Sequence, residues 1–290
     1  LVRLPLAVER ALREVRVAFG SDKRERPYAL APDGEGGCYA AFTSSGELKG
    51  LLPSPGGDMC AVVHLLADGT PNALFPANGA VITDLISDGG GGCYASLLVK
   101  GTAQLGSQTI ASALYPRKRE IALAHITPEG GFVRASLVGP GGSFVRNPLA
   151  WADDRSLLIA GSDREPPSLT KQKLVLYKVA TDGTVLADFS SKVNGGINCY
   201  SVLQGMLAGS FTGDAKLGDT TMSSSGASHS AFMAQLNDSV NVRHSSQLGE
   251  GAVQCLLQHN MGALAGGTFH DLLTADSLRL ASKGNSEAFL

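Results

Sequence analysis

The sequence predicts an all-β protein, and three observations carry that prediction. Apolar and polar residues alternate with a period of two, the period of a strand, rather than with the 3.6 of a helix. The composition suits many turns and a buried interior, since 36 of the 290 residues are glycine and only 17% are charged. The third observation is a motif that recurs along the chain, because a repeat of a few tens of residues determines the fold class.

The first recurring motif is a Gly-Gly-Cys-Tyr-Ala sequence preceded by an Asp-Gly turn signal. It occurs at residues 36–40 and again 55 residues later, at 91–95. The turns before it contain Asp33 and Asp88, and aspartate is expected there because its side chain bonds nearby backbone N–H groups. A Trp-Ala-Asp-Asp-Arg sequence at 151–155 replaces the motif in the third copy. The spacing indicates one repeated structural unit.

The second motif is a short alternating run that ends in a reversal of the chain. Four such runs are spaced 53 to 61 residues apart, which is regular enough for one unit with connections of variable length. Asp-Gly and similar turn sequences follow the runs and predict hairpins. The runs are residues 60–65, 121–126, 174–179 and 231–236, and their fifth residues are His64, His125, Lys178 and Gln235.

Repeats of this length predict a single β-propeller domain over residues 1–290, with five four-stranded blades. A lone four-stranded sheet cannot bury both of its faces, so the repeats must stack on one another. Closing the stack into a ring leaves only short, protected edges. An alternating segment at 15–19 is expected to close the ring, although residues 6–14 could form a short helix. The predicted blades are 27–77, 80–139, 147–192, 196–249, and 252–290 completed by 12–20.

One part of the sequence resembles a known family. It has Gly-Ser-Phe-Thr-Gly at 209–213, Leu-Gly at 217–218, a Ser-rich turn at 223–226 and Ala-Phe-Met-Ala-Gln-Leu at 231–236. This pattern is similar to that of the bacterial secreted β-propeller repeat proteins, most clearly over 199–290. The resemblance implies the propeller fold and an extracellular or cell-envelope location. Its motif consists of turn and core residues, so it implies no catalytic residues.

The charge distribution argues against two classes of partner. The net charge is −2 and the Lys and Arg residues are scattered, so no basic patch is predicted for nucleic acid or for an anionic membrane. No apolar run approaches the roughly 18 residues that span a bilayer, so no membrane span is predicted. The basic cluster Arg117-Lys118-Arg119 is expected to be a solvated loop tip.

The histidines predict no catalytic group. His64 and His125 take the place that Lys178 and Gln235 take in other repeats, which favours an outward polar position on a strand. The alternative is a metal ligand, and no pair of histidines has the spacing of a metalloprotease helix. These residues are therefore expected to be ordinary surface positions.

The cysteines predict neither a disulfide framework nor a zinc site. Their number is odd and no Cys-x-x-Cys pair occurs, so buried free thiols are expected. A metal site built from Cys255, His259 and His270 is the alternative, but no second Cys/His cluster supports it. The five cysteines are Cys38, Cys60, Cys93, Cys199 and Cys255.

The carboxylates come closest to an active site. Glycoside hydrolysis needs two of them across a bond, and Asp84, Asp153 and Asp154 lie near predicted inner strands or their turns. Asp84 stands alone in its strand, and Asp153 is expected to hold a turn. The Gly-rich runs at 89–92 and 139–142 indicate turns, because no Gly-Lys-Ser/Thr sequence follows them. The sequence predicts no catalytic, cofactor-binding or metal-binding residue.

The function that fits these observations is a noncatalytic binding or structural scaffold module. Loops on a rigid frame would contact another protein, a larger assembly or a surface polymer. A glycan-binding propeller is one alternative, although Tyr39, Tyr94 and Tyr200 are expected in the core or on inner strands. A glycosidase-like enzyme with Asp84 and Asp153 at the channel mouth is another. The loops that differ most between repeats are 43–57, 98–119, 161–171, 210–229 and 267–285.

Overall fold

The computed structural model confirms an all-β chain. Every regular element among the described residues is a β-strand. No helix in this part of the chain is long and apolar enough to cross a membrane. The structure describes residues 24–46, 59–114, 116, 118–129, 131–141, 147–164, 172–224, 228–259, 262–275, 278–282 and 287–290.

The strands are numbered in chain order. They are β1 Glu25–Pro32, β2 Cys38–Ser44, β3 Met59–Leu65, β4 Pro71–Ser87, β5 Cys93–Leu105, β6 Gln108–Ala111, β7 Glu120–Thr127, β8 Gly131–Pro140, β9 Leu149–Asp153, β10 Ser156–Arg164, β11 Gln172–Ala180, β12 Val185–Asn194, β13 Ile197–Leu203, β14 Met206–Phe211, β15 Asp214–Leu217, β16 Thr220–Ser223, β17 Ser230–Leu236, β18 Val242–His259, β19 Gly262–Ala275, β20 Leu278–Ala281 and β21 Glu287–Phe289.

Consecutive strands pair antiparallel and form four-stranded meanders. The first meander is β1, β2, β3 and the first half of β4, and the second is the second half of β4 with β5, β7 and β8. The third is β9 to β12. The fourth is β13, β14, β17 and the first half of β18. The second half of β18, with β19 and β21, begins a fifth.

The described strands form open sheets. Three sheets contain eight, six and seven strands, and no strand pairing in the described part of the chain joins them into a ring. The first four predicted ranges, 27–77, 80–139, 147–192 and 196–249, each contain the four antiparallel strands of one meander, with additional short strands within 80–139 and 196–249. The predicted closing strand within 12–20 lies outside the described residues, as does the alternative helix at 6–14.

The apolar cores lie between successive meanders. Tyr39 of the first meander belongs to the same buried cluster as Ile82 of the second. Ile121 of the second meander belongs to a cluster with Leu157 of the third. The meanders therefore stack face to face, as sheets that are apolar on both faces must. Large exposed apolar side chains are spread over several meanders, with Leu30 on β1, Leu186 on β12 and Leu257 on β18 more than half accessible.

Within the described residues, short hairpins follow the second strand in three of the meanders. The end of β5 pairs with β6, β15 pairs with β16, and the end of β19 pairs with β20. Each hairpin also pairs with the last strand of the preceding meander, through Ala77 with Leu105, Val193 with Ala215, and Gly249 with Leu273. The expectation that 98–119, 210–229 and 267–285 are loops is therefore wrong. Apolar residues at every second position, such as those at 215 and 217, bury one face of each hairpin.

The connections of a meander alternate between its two ends. Turns between first and second strands and between third and fourth strands lie at one end, which we call the turn end; Asp33 and Leu66 close two of them by backbone hydrogen bonds. The inserted hairpins and the passages from one meander to the next lie at the opposite end, which we call the hairpin end. The two ends therefore differ in the groups that they present.

Candidate functional site

A pair of matching polar units lies at the turn end of the first two meanders. In the first unit, Asp33 Oδ2 lies 3.0 Å from His64 Nε2, and the His64 ring stacks on the Tyr39 ring with centroids 4.5 Å apart. Asp33 Oδ1 accepts hydrogen bonds from the backbone N–H groups of Glu35 and Gly37. The other ring nitrogen of His64, Nδ1, lies 3.2 Å from the side-chain amide of Asn72. We call this arrangement an Asp–His–Tyr unit.

The second Asp–His–Tyr unit repeats the first. Asp88 Oδ2 lies 2.7 Å from His125 Nε2, and the His125 ring stacks on Tyr94 at 4.5 Å. Asp88 Oδ1 accepts from two backbone N–H groups of its turn, as Asp33 does. The prediction that these aspartates hold turns is confirmed. The turn closes because the carboxylate satisfies backbone donors that the reversal leaves unpaired.

The expected outward position of the two histidines is wrong. His64 is only 5% accessible, and the side chain of His125 is 25% accessible. Both rings lie against a buried tyrosine and donate toward a carboxylate that burial would otherwise leave unpaired. The signal in the sequence was the joint recurrence of Asp, Tyr and His in the same two copies. In both units the Asp oxygens are held by the histidine and by backbone N–H groups, so we interpret the units as structural.

The electrostatics of the units agree with that interpretation. Burial alone would raise the pKa of Asp33, but the hydrogen bonds from His64 and from two backbone N–H groups outweigh it and hold the pKa below its ordinary value. The same balance lowers the pKa of Asp88, with His125 as the side-chain partner. Burial raises the pKa of the Tyr39 hydroxyl, which donates to the Gly91 carbonyl of the second meander. These carboxylates are kept ionised.

The third and fourth meanders lack the unit. Asp153 holds the third turn by accepting from the backbone of Arg155, and Lys178 bonds its other oxygen at 2.9 Å. The hydrogen bond from Lys178 is the main reason that the pKa of Asp153 lies well below its ordinary value. Gln235 takes the corresponding place in the fourth meander and is exposed. The third meander thus keeps the aspartate and replaces the histidine by a lysine, and the fourth has an exposed glutamine in the place of the base.

The structure does not bring the two carboxylates of the enzyme hypothesis together. Asp84 accepts the backbone N–H of Leu149 at 2.9 Å and belongs to the joint between the second and third meanders. A separate cavity of about 380 Å³ is lined by Asp88, Asp153, Asp154 and Trp151, and the Asp154 side chain is 86% exposed. A general acid needs a raised pKa to stay protonated at neutral pH, and the pKa values of Asp88 and Asp153 are both lowered. The geometry therefore favours no glycosidase pair.

The cysteines follow the expectation of buried thiols at three of five positions. All five are free thiols, and burial raises the pKa of Cys60 to about 11 and of Cys199 to about 12. Cys38 is half-buried and Cys255 is exposed, contrary to that expectation. Within the described residues no three His, Cys, Asp or Glu side chains are grouped to hold a metal ion.

The basic cluster is not simply a solvated tip. Lys118 reaches the buried carboxylate of Asp163 in the third meander, with Nζ 2.6 Å from Oδ2. The expectation for this residue is wrong, because the buried Asp163 needs a partner and the tip of the second meander supplies it. Lys118 therefore joins two meanders, and Arg117 lies outside the described residues.

Two cavities of about 580 Å³ lie at the hairpin end, each at a passage between meanders. The first junction cavity lies between the first and second meanders and is lined by Thr43, Gly79, Leu98 and Lys100, among others. The last junction cavity lies between the fourth and fifth meanders. Its lining includes Tyr200, His229, Glu250, Thr268, His270 and Asp271.

The two junction cavities occupy the same place in the repeat. At each of these two junctions, one residue of the strand that passes between meanders has no partner in the β-ladder, and we call it the skipped residue. It comes just before the pair Ala80 with Val99 at the first junction and the pair Gly251 with Phe269 at the last. The skipped residue is Gly79 in the first case and Glu250 in the second. The lining residue that precedes each inserted hairpin is Lys100 in the first and His270 in the second. The cavities share a backbone frame and differ in chemistry.

The last junction cavity is the more polar of the two. Two carboxylates, two imidazoles and several hydroxyl groups face it, and no Lys or Arg is among the described residues that line it. The Ser210 hydroxyl lies 3.4 Å from the Tyr200 hydroxyl in its wall. Tyr200, expected in the core or on an inner strand, lies on β13, the first strand of the fourth meander, and its half-buried side chain forms part of the cavity wall. The sequence did not single out Glu250 or Asp271.

Comparison with known proteins assigns no family to this chain. The sequence matches no family model and no curated protein. The likeness to secreted propeller repeats therefore rests on the motif residues quoted above, and the function must be argued from the geometry.

Proposed function

We propose that the chain is a noncatalytic binding or scaffold module folded as a five-bladed β-propeller. Four antiparallel meanders stacked face to face, with a fifth begun, support the propeller. In this proposal residues 12–20, outside the described part, supply the missing strand of the last blade.

The main support for a noncatalytic function is that the polar groups found in both Asp–His–Tyr units already have hydrogen-bond partners within the fold. Both carboxylate oxygens of Asp33 and both ring nitrogens of His64 already have partners within the fold. A general acid or base must keep a free position that faces substrate. These groups instead stabilise the frame, and a rigid frame is what a binding module requires.

The binding surface in this proposal is the hairpin end. Each inserted hairpin buries one face and leaves the other to solvent: Thr102 and Gln104 are exposed on one hairpin, Asp214 and Lys216 on another. Gln104 is ordered by the hydroxyl of Thr109, which donates to it at 2.6 Å. Such flat, polar strand surfaces fit a protein partner or a surface polymer that is read by side-chain hydrogen bonds.

A comparison of the two ends tests the proposal. The full chain would be immobilised and challenged with extract of its source cells, and each retained protein identified by mass spectrometry. We expect one partner whose retention is lost in a Gln104→Ala, Lys216→Ala double variant. The turn-end variant Asp154→Ala, whose side chain is 86% exposed, should retain it. The proposal would be contradicted if only the turn-end variant failed to retain the partner, or if the full chain hydrolysed chromogenic glycosides.

A further inference from the structure

The first junction shows what the fold by itself requires at these positions. The skipped residue of the passing strand is Gly79 there, and the matching residue before the pair Ile197 with Phe211 is Gly196, in the junction of the third and fourth meanders. Only Glu250, at the last junction, has a side chain in this comparison. The fold therefore accepts glycine at this place and does not require a carboxylate.

The second carboxylate also replaces a glycine. A backbone hydrogen bond closes each inserted hairpin, from Ser112 N–H to Gly101 O, from Ser224 N–H to Gly213 O and from Ser282 N–H to Asp271 O. The φ angle is positive at all three acceptors, at 79°, 70° and 56°. Glycine adopts that conformation without strain, whereas aspartate carries a cost. The chain thus holds Asp271 in a backbone conformation that the other two hairpins assign to glycine.

Both carboxylates face one cavity, which gives their replacement of glycine a common explanation. Glu250 and Asp271 come from different strands, and His270 and Thr268 lie beside them in the wall. Lys100 and Leu98 occupy the matching wall positions of the first junction cavity. Both linings contain hydroxyl groups, but the last junction cavity adds carboxylates and imidazoles, whereas the described lining of the first has Lys100 as its charged side chain.

The chemistry of the lining selects the class of ligand. Two carboxylates, with no Lys or Arg among the described residues that line the cavity, disfavour phosphate, sulfate and other anions. The His, Asp and Glu side chains are spread around the wall, and none of the described residues form a metal-binding group of three. A volume of about 580 Å³ fits a small organic ligand. Carboxylates accept hydrogen bonds, and imidazole and hydroxyl groups both donate and accept, which suits a ligand with many hydroxyl groups.

We propose that the last junction cavity binds a neutral carbohydrate, with Glu250 and Asp271 accepting hydrogen bonds from sugar hydroxyl groups. Tyr200 supplies an aromatic surface in the same wall. This site rests on the noncatalytic binding function proposed above and assigns it a ligand class. It does not depend on the ring being closed.

The test uses the full chain and defined probes. An array would carry neutral gluco-, galacto-, manno- and xylo-oligosaccharides, a uronic acid oligosaccharide, and spermine as a cationic probe. We expect binding of at least one neutral oligosaccharide and none of the uronic acid probe. Titration calorimetry would then measure the affinity of the bound oligosaccharide for each variant.

Two variants each change one carboxylate of the last junction cavity, and one of them restores the glycine found at the other hairpins. Asp271→Gly should weaken the oligosaccharide about tenfold, the loss expected for a hydrogen bond to a charged group, without lowering the melting temperature. Glu250→Gln should weaken it similarly while preserving the shape of the side chain. Lys100→Ala, in the first junction cavity, is the matched control and should bind as the unaltered chain does.

The outcomes separate this site from the broader proposal. Failure of every neutral oligosaccharide, preference for spermine, or unaltered binding by both variants would overturn the carbohydrate site and leave the protein-binding proposal intact. Release of shortened sugars during incubation would instead overturn the noncatalytic function while keeping the site. Binding that both variants lose and the control keeps would support the two proposals together.

Discussion

The first and last junctions are built on one backbone plan and carry different chemistry. At both, a long strand leaves one meander, skips a residue in the ladder and enters the next, while an inserted hairpin pairs with the departing strand. The first junction has glycine at the two critical places, Gly79 and Gly101, and the last has Glu250 and Asp271. The comparison shows that the fold requires a skipped residue and an inserted hairpin at the junction, but does not require carboxylates at these two places.

The backbone explains how the last junction accommodates a side chain at the skipped position. Gly79 itself has a positive φ of 79° at the first junction. At the last junction the residues on either side, Gly249 and Gly251, have φ angles of 128° and 145°, and Glu250 is not among the described residues with a positive φ. At the last junction the backbone conformations that disfavour a side chain occur at Gly249 and Gly251, so the position between them can carry a functional side chain.

The largest expected effect is a loss of folding stability, and it compares the first meander with the fourth. His64→Ala should lower the free energy of unfolding by about 3 kcal/mol, because it leaves the buried Asp33 carboxylate without its side-chain partner. Gln235→Ala, at the same place in the fourth meander, should change it by less than about 0.5 kcal/mol because the side chain is exposed. Urea denaturation measures both, and equal losses would show that the Asp–His–Tyr unit has no special role.

A smaller effect is expected at the skipped position of the ladder. Gly79→Ala should cost about 2 kcal/mol, since its φ is positive and a Cβ atom would meet the Thr102 carbonyl. Glu250→Ala should be tolerated because the flanking glycines carry the unusual conformations. Thermal unfolding of the two variants is the measurement. If the Glu250 variant lost as much as the Gly79 variant, the frames of the two junctions would not differ as described.

A reciprocal exchange at the hairpin turn sharpens the comparison further. Gly101→Asp should destabilise the chain by about 1 kcal/mol, the cost of a side chain at a positive φ. Asp271→Gly should leave stability unchanged or raise it by a similar amount. Denaturant midpoints at fixed slope would show the two changes with opposite sign. A clear loss of stability in the Asp271 variant would mean that the carboxylate serves the fold rather than a ligand.

The smallest effect is a difference in acid sensitivity. Because the pKa of Asp33 in the folded chain lies below its ordinary value of 3.8, this carboxylate stabilises the fold fully above that value. The contribution is lost as the pH falls through the lowered pKa. An Asp33→Asn variant should therefore show a flatter fall of melting temperature from about pH 5 to about pH 2. An unchanged acid profile would contradict the assignment of this carboxylate as a stabilising partner.

Much of the frame could be predicted from local patterns. The alternating runs became β3, β7, β11 and β17, and the Asp-Gly signals became turns with their aspartates bonded to backbone N–H groups. The inserted hairpins were missed although their apolar residues alternate. Their strands are only four residues long, and they are held by the preceding meander rather than by their own length. A short alternating segment does not show which sheet it joins.

The polar partnerships were harder to predict because they join distant parts of the chain. His64 and Asp33 are 31 residues apart, and Lys118 and Asp163 are 45 apart. Each pair depends on strand register and on the stacking of one meander upon another. A histidine on an alternating strand can face solvent or a buried carboxylate, and the alternation is the same in both cases.

The sequence by itself determined that this protein is an all-β structure, where its alternating runs and turns fall, and which glycines lie in those turns, because these properties depend on residues a few positions apart. Only the tertiary structure decided that His64 is a buried partner of Asp33 and that Lys118 joins two meanders. It also decided that residues as distant as Tyr200 and Asp271 line one cavity. Side chains from separate strands meet only after the register is set and the meanders stack, so their shared chemistry is a property of the folded chain.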